Sequence, residues 1–337
     1  MEQGNSAAAT GRGRKGTTAA VLGFLKRNKH TFIQYAGLAL VIIIFAVLTG
    51  GDLLSSFNLR TVIKQLAVLF TISVGMVFIF SHGGMDISVG AVMALSSMTA
   101  IYTLNAGAPL AAGILAAVAV SVLCYLLNIV MAIQFGLMPV ISSLSVMFIA
   151  RGLVTYKVST ATEKLGVTDT EQLKLLGRNI PFMLVLLTVV GVTGIILFHY
   201  TKIGKYSRAV GDNPQAAAQS GVQVRKVRIT GYAIAGLLVG FASVLSLARS
   251  TVISENTGSG LEMDVIVALI LGGLSLNGGS KAKMSSAIVG SITYILLNNG
   301  LVMVGVPTEV VSLVKGTVFL LVVFLLLRRP HSEVMPR

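Results

Sequence analysis

The chain has no tryptophan and a single cysteine in 337 residues, and only 11% of its residues are charged. A typical soluble domain carries about 25% charged residues. That scarcity, set beside 54% hydrophobic residues, excludes an ordinary soluble fold. Apolar runs of roughly 20 residues recur along the chain, each long enough to cross a bilayer as a helix. The lone Cys124 excludes an intramolecular disulfide. It lies inside an apolar run and reads as a small buried hydrophobe. Acids are scarcer than bases, with 12 Asp and Glu against 26 Lys and Arg and a formal net charge of +14. Nucleic acid is not the implied partner, because the bases are scattered between apolar runs and form no continuous face. Positive charge retained on the cytoplasmic side of a membrane explains the excess.

Catalytic constellations are missing too. A phosphate-binding loop needs Gly, four residues, then Gly-Lys-Ser/Thr. The only Gly-Lys pair is Gly204-Lys205, with Tyr206 after it and His199 where the first glycine should stand. ATP is therefore not held by that device. His30, His82, His199 and His331 have no metal-ligand spacing, so no metal and no cofactor is expected. The first apolar run, 31–50, is too long for a signal core, and no cleavable leader is expected.

What is present is an all-α polytopic pattern of about ten membrane spans. They lie near 31–50, 60–80, 86–104, 109–134, 138–157, 180–200, 229–249, 262–278, 283–304 and 307–328. An even count puts both termini in the cytoplasm, together with the basic clusters Lys26-Arg27, Lys202–Arg228, Lys281/Lys283 and Arg328-Arg329. The organisation is a basic tail over 1–30, a membrane domain over 31–329 with a cytoplasmic loop at 201–228, and a short tail over 330–337. Val21, Leu22, Phe24 and Leu25 beside Lys26 make either a short interfacial helix or a plain basic anchor. The sizeable outside loop, 158–180, is either a plain connector or a contact for a delivery protein. Gly-Gly breaks at FSHGG and LGGLSLNGG, in segments running in opposite senses, hint at an inverted repeat.

Polar residues within this apolar background are the candidates for function. In the 201–228 loop, Asp212-Asn213-Pro214 can start a helix and Gly221 can stop it, leaving a small-residue face at Ala216, Ala217 and Ala218. Such a helix could dock on a cytoplasmic protein, or the loop could simply set topology. Asp86, in the run Gly83-Gly84-Met85-Asp86-Ile87-Ser88-Val89-Gly90, reads as a helix cap beside a transport path. Glu262, Asp264 and Glu309 read as first-turn acids that suit a helix dipole. Asn128, Ser142, Ser143, Ser145, Asn298 and Asn299 offer donors and acceptors to a hydroxyl-rich solute, or to neighbouring helices. Gly236 and Gly240 form a GxxxG pair for close helix packing.

These motifs resemble the permease subunits of ATP-binding cassette importers for ribose, xylose, galactose and related sugars, a family shared with branched-chain amino acid permeases. GGMDISVG (83–90) looks like the family's GGIDLSVG. MPVISSLSVMFIARGL (138–153) is similar to its P-F-I-x-T-L-x-x-x-x-I-x-R-G-L segment. RAVGDNPQAAAQSGVQVRKVRITGYAIAGLLVGFASVL (208–245) matches its cytoplasmic coupling region and the helix that follows. GSGLEMDVIVALILGGLSLNGG (258–279) resembles its G-x-G-x-E-L-D segment. The likeness runs over roughly residues 31–329.

The resemblance implies an inverted-repeat permease in a bacterial plasma membrane, paired with a second permease copy. It also implies a cytoplasmic ABC ATPase subunit that uses the ATP, and an extracytoplasmic sugar-binding protein. Gly211, Asp212, Asn213, Pro214, Ala216, Ala217, Ala218 and Gly221 would form the ATPase-coupling helix. Gly83, Gly84, Asp86, Ser88, Gly90, Asn128, Ser142, Ser143, Asn298 and Asn299 would border the translocation path. The chain departs from the family at Leu274, where a threonine is usual, at Lys281-Ala282-Lys283, and at Ser142-Ser143, where an apolar residue and a threonine are usual. Other expectations within reach are a permease for a nucleoside, an autoinducer or a branched-chain amino acid, an ion-coupled secondary transporter, and a membrane enzyme. The scarcity of intramembrane acids and the lack of a catalytic group weigh against the last two.

Overall fold

A computed structural model of the protein describes residues 29–275 and 278–327. The interfacial segment at 21–25 and most of both tails lie outside the described residues. The chain is helical, and among the described residues the only β pairing is an isolated bridge between Gly166 and Val252. Among the described residues thirteen α-helices run in order. They are α1 (Lys29–Leu48), α2 (Ser56–Ser81), α3 (Val89–Asn105), α4 (Leu110–Gln134), α5 (Pro139–Ser159), α6 (Lys174–Arg178) and α7 (Ile180–Ile195). Then come α8 (Lys202–Asp212), α9 (Pro214–Gln219), α10 (Val224–Ser250), α11 (Leu261–Leu271), α12 (Ser285–Met303) and α13 (Thr308–Leu327).

Among the described residues six helical segments are long and apolar enough to cross a membrane: α2, α4, α5, α7 with its π-helical extension to Tyr200, α10 and α12. Two helices depart from the expected spans. The span expected at 86–104 starts only at Val89, because His82–Ser88 is not helical. The span expected at 262–278 is a helix of 11 residues that ends before Gly272-Gly273. Both departures fall at the glycine-rich motifs.

The core is built on α10, which packs against α4, α2 and α3. Its GxxxG pair makes the closest of these approaches. A Cβ on Gly236 would stand 2.9 Å from Val122 Cα, and one on Gly240 would stand 2.6 Å from Val118 Cα. Helices without a hydrophobic drive between them associate through such small-residue contacts. Around this contact, α2 buries almost its whole second half, from Ala67 to Ser81. The packing has a twofold character: α10 lies on α4 while α2 lies on α12, and α3 lies on α4 while α11 lies on α12.

The two breaks meet. A Cβ on Gly90, at the start of α3, would fall 1.9 Å from the carbonyl oxygen of Gly258, just before α11. Only two glycines allow the backbones to come so close. The 158–180 segment is not a loose connector. It carries the short helix α6, and Val167 N–H donates to Thr251 O at 2.9 Å while Ile253 N–H donates to Leu165 O at 2.9 Å. Asn105 at the end of α3 bonds both Gly166 O and Thr168 N at 2.9 Å, which fastens the segment to the bundle.

Candidate functional site

The loop between α7 and α10 folds into two helices, α8 and α9. Asn213 leaves the helical region with φ −158° and ψ 106° and caps α9. Its Oδ1 accepts from Gln215 N at 2.9 Å and Ala216 N at 3.0 Å. Pro214 takes the first helical position, where no donor is needed. Gly221, with φ +83°, closes the other end. Its N–H donates to Ala218 O and Val222 N–H donates to Ala217 O, both at 3.0 Å, the two bonds of a Schellman motif. The small-residue face divides. Ala217 is buried on Val210 and Val227, with Val222 and Val224 packed alongside, whereas Ala216 and Ala218 are exposed. Lys202, Lys205, Arg225 and Lys226 are exposed around the helix.

Asp212 does not cap α9. It is the last residue of α8, and its Oδ1 accepts from Ser280 N at 2.9 Å and Ser280 Oγ at 3.2 Å. Beside it, a Cβ on Gly211 would lie 2.0 Å from Ser81 O, and that same oxygen accepts from Gly279 N at 2.8 Å. The capped helix is thus tied at one point to the end of α2 and to the loop between α11 and α12.

Most of the polar path candidates converge, and they do so out of solvent. Asp86 Oδ1 accepts from Ser88 N and Ser88 Oγ, each at 2.8 Å, so Asp86 does organise the entry to α3. Its other oxygen accepts from Asn128 Nδ2 on α4, and Asn128 Oδ1 accepts from Ser142 Oγ on α5. Ser143 Oγ accepts from Ile87 N at 3.2 Å. Asp86, Ser88, Asn128, Ser142 and Ser143 are all buried. A carboxylate in an apolar bundle is tolerated only when hydrogen-bonded in this way. The network joins α3, α4 and α5 in the present conformation. Gly83 is exposed, Gly84 and Gly90 are buried, and Asn298 and Asn299 on α12 bond to none of this cluster; Asn299 is buried with Oδ1 unpartnered.

Asn128→Leu is expected to remove a donor from buried Asp86 and to lower stability by about 1–3 kcal/mol. Thermal unfolding in mild detergent reads this, and an unchanged transition would contradict the network.

Two residues of the region escaped the sequence reading. Arg151 on α5 donates from Nη1 to Glu255 O at 3.0 Å and Thr257 O at 2.7 Å, latching the segment that precedes α11. Lys315 on α13 pairs with Asp264 at 3.3 Å. Asp264 stands in the first turn of α11 as expected, and its carboxylate also takes Tyr294 OH from α12 and Lys315 Nζ from α13. The available signal was in each case a lone cation inside an apolar run, which demands a partner.

Residues 58–323 match the family described as branched-chain amino acid transport system / permease component. Among curated proteins, the ribose import permease protein RbsC of Bacillus subtilis (strain 168) is 30% identical over 295 residues, covering 86% of this chain and 91% of its own length. The ribose import permease protein RbsC of Escherichia coli (strain K12) is 27% identical over 314 residues, covering 91% of this chain and 98% of its own. The L-arabinose ABC transporter permease protein AraH of Azospirillum brasilense is 28% identical over 303 residues, covering 86% and 87%.

Proposed function

Because the chain belongs to the family of permease components of branched-chain amino acid transport systems, we propose that it is the membrane-spanning subunit of an ATP-binding cassette importer for a monosaccharide such as ribose. The observation that carries this reading is the set of relatives that match nearly end to end. Those named above are a ribose permease from each of two bacteria and an L-arabinose permease, and xylose and fructose permeases also match. The protein is a transport component of the bacterial inner membrane, and ATP is hydrolysed on a separate cytoplasmic subunit. Its working form pairs it with a second permease copy and with an extracytoplasmic sugar-binding protein.

The architecture supports this division of labour. Ten crossings with both termini cytoplasmic place α8 and α9 inside the cell, with α1, α3, α11 and α13 completing the count. The half-length α11, the late start of α3 and the paired contacts of α2–α5 with α10–α13 fit an inverted repeat whose halves meet at Gly90 and Gly258. The exposed crest of α9, Ala216 and Ala218, is the surface for the ATPase groove, and small side chains there let two backbones approach. The Asp212–Ser280 link carries nucleotide-driven closure into the membrane helices, as alternating access between two states requires.

The substrate class is tested by uptake of labelled D-ribose, D-xylose, L-arabinose, D-fructose and L-leucine into cells expressing the complete transporter. Saturable uptake of one of the sugars and none of leucine is expected. Saturable leucine uptake with no sugar transported would overturn the sugar reading in favour of a branched-chain amino acid permease.

A further inference from the structure

The charged cluster of α11, α12 and α13 differs in kind from the one around Asp86. Tyr294 is the tenth residue of α12 and Lys315 the eighth of α13. At 1.5 Å per residue they lie roughly 11–14 Å along apolar helices, near the middle of a hydrocarbon core about 30 Å thick. Asp264 reaches the same depth, since its carboxylate takes Tyr294 OH and Lys315 Nζ. An acid and an amine at this depth would each cost about 2.5–3.5 kcal/mol against lipid.

The pair is nevertheless open. Asp264 is 33% exposed and Lys315 20%, whereas Asp86 is 0% exposed. Both described contacts to the carboxylate, from Tyr294 OH and from Lys315 Nζ, fall on Oδ1. The ammonium also stands 5.0 Å from the centre of the Tyr294 ring, which favours its charge and fixes its direction. The exposed side chains nearby in sequence are mixed: Met263 and Leu313 are apolar, and Ser312 and Thr317 are polar. A purely structural ion pair would be expected to close over itself as the Asp86 network does. An apolar face of a second protein copy laid here would leave the second carboxylate oxygen and the remaining ammonium protons without partners. A neutral polyol satisfies both: its hydroxyls donate to the carboxylate and accept from the ammonium.

We propose that Asp264 and Lys315, held by Tyr294, form a mid-depth contact site for the hydroxyl groups of the sugar in transit. The site rests on the sugar-permease reading and adds a specificity determinant to it. Vicinal hydroxyls are matched by an acceptor and a donor standing side by side, so a substrate lacking one of them leaves a charged group unsatisfied. Tyr294 is a positioning residue, since its ring is buried.

The test is uptake of the best-carried sugar of the panel, with its deoxy analogues as competitors, by cells expressing the complete transporter with Asp264→Asn, Lys315→Met, the double variant, or the conservative Lys315→Arg. Each single neutral variant is expected to lower uptake efficiency about tenfold to a hundredfold and to flatten discrimination between the sugar and its deoxy analogues. The double variant stays impaired, Lys315→Arg recovers part of the uptake, and the amount of protein in the membrane is unchanged. Recovery of uptake and discrimination in the double variant would show a structural ion pair and overturn the site. Loss of membrane protein in the single variants, reversed in the double, would overturn it in the same way. A wild type that carries no sugar of the panel would bring down the sugar reading itself, and a wild type that carries one with Asp264→Asn unaffected would bring down only this site.

Discussion

Replacing Gly240 by leucine should leave little folded protein in the membrane. A Cβ at this position would sit 2.6 Å from Val118 Cα, 2.9 Å from Ser121 Cβ and 3.0 Å from Ala117 O, so backbone blocks the way. No rotamer relieves a clash with backbone, and α4 would have to move off α10. That contact is the most extensive in the bundle and also supports Tyr125 and Tyr232, both fully buried. Overpacking a tight core costs about 1–3 kcal/mol when side chains can yield. Here the cost should exceed ~3 kcal/mol, with Gly240→Ala intermediate. Size-exclusion of detergent extracts reads the outcome as loss of the monodisperse peak. A normal peak for the leucine variant would mean that α4 and α10 do not pack through this face.

The second large effect is expected in α9. Its six residues are too few to be helical alone, so its caps and its footing on Val210 and Val227 hold it. Gly221→Pro removes the N–H that bonds Ala218 O and forbids φ +83°. Ala217→Phe wedges the helix off its footing from below. In both variants the bundle core is untouched, so membrane insertion should be normal. Sugar uptake should fall at least about tenfold to a hundredfold, equivalent to roughly 1.4–2.8 kcal/mol in coupling. ATP hydrolysis should no longer rise with sugar-loaded binding protein. Stimulated hydrolysis and uptake at wild-type levels in either variant would rule out α9 as the coupling element.

Much of this helix was legible in the sequence because its determinants are local. The cap at Asn213, the proline at the first position and the stop at Gly221 all act within a few residues, and all three stand where expected. Which of Asp212 and Asn213 supplies the cap was open in the sequence, and Asp212 is taken out of that role for a non-local reason. The chain before it continues as α8, which carries Asp212 away from α9 and onto Ser280, 68 residues later. The same holds in the membrane. GxxxG at Gly236 and Gly240 signals close packing whatever the partner, but nothing in the sequence says that the partner is α4. Asp86, Asn128 and Ser142 were each singled out as polar residues in apolar surroundings. That they bond one another depends on three helices meeting, as does the pairing of Asp264 with Tyr294 and Lys315. Helix ends were misplaced where glycine pairs interrupt apolar runs, because composition continues through a break that the backbone makes. The apolar run through Gly272-Gly273 kept the expected span going to 278, while α11 stops at Leu271.

We propose that this protein is a passive pathway powered from outside itself through α9. Sugar uptake into proteoliposomes containing the permease and its binding protein, with and without the ATPase subunit and with and without a protonophore, tests it most directly. Uptake should require both the ATPase and ATP and should be indifferent to the protonophore. Uptake that persists without the ATPase and collapses with the proton gradient would identify an ion-coupled transporter instead.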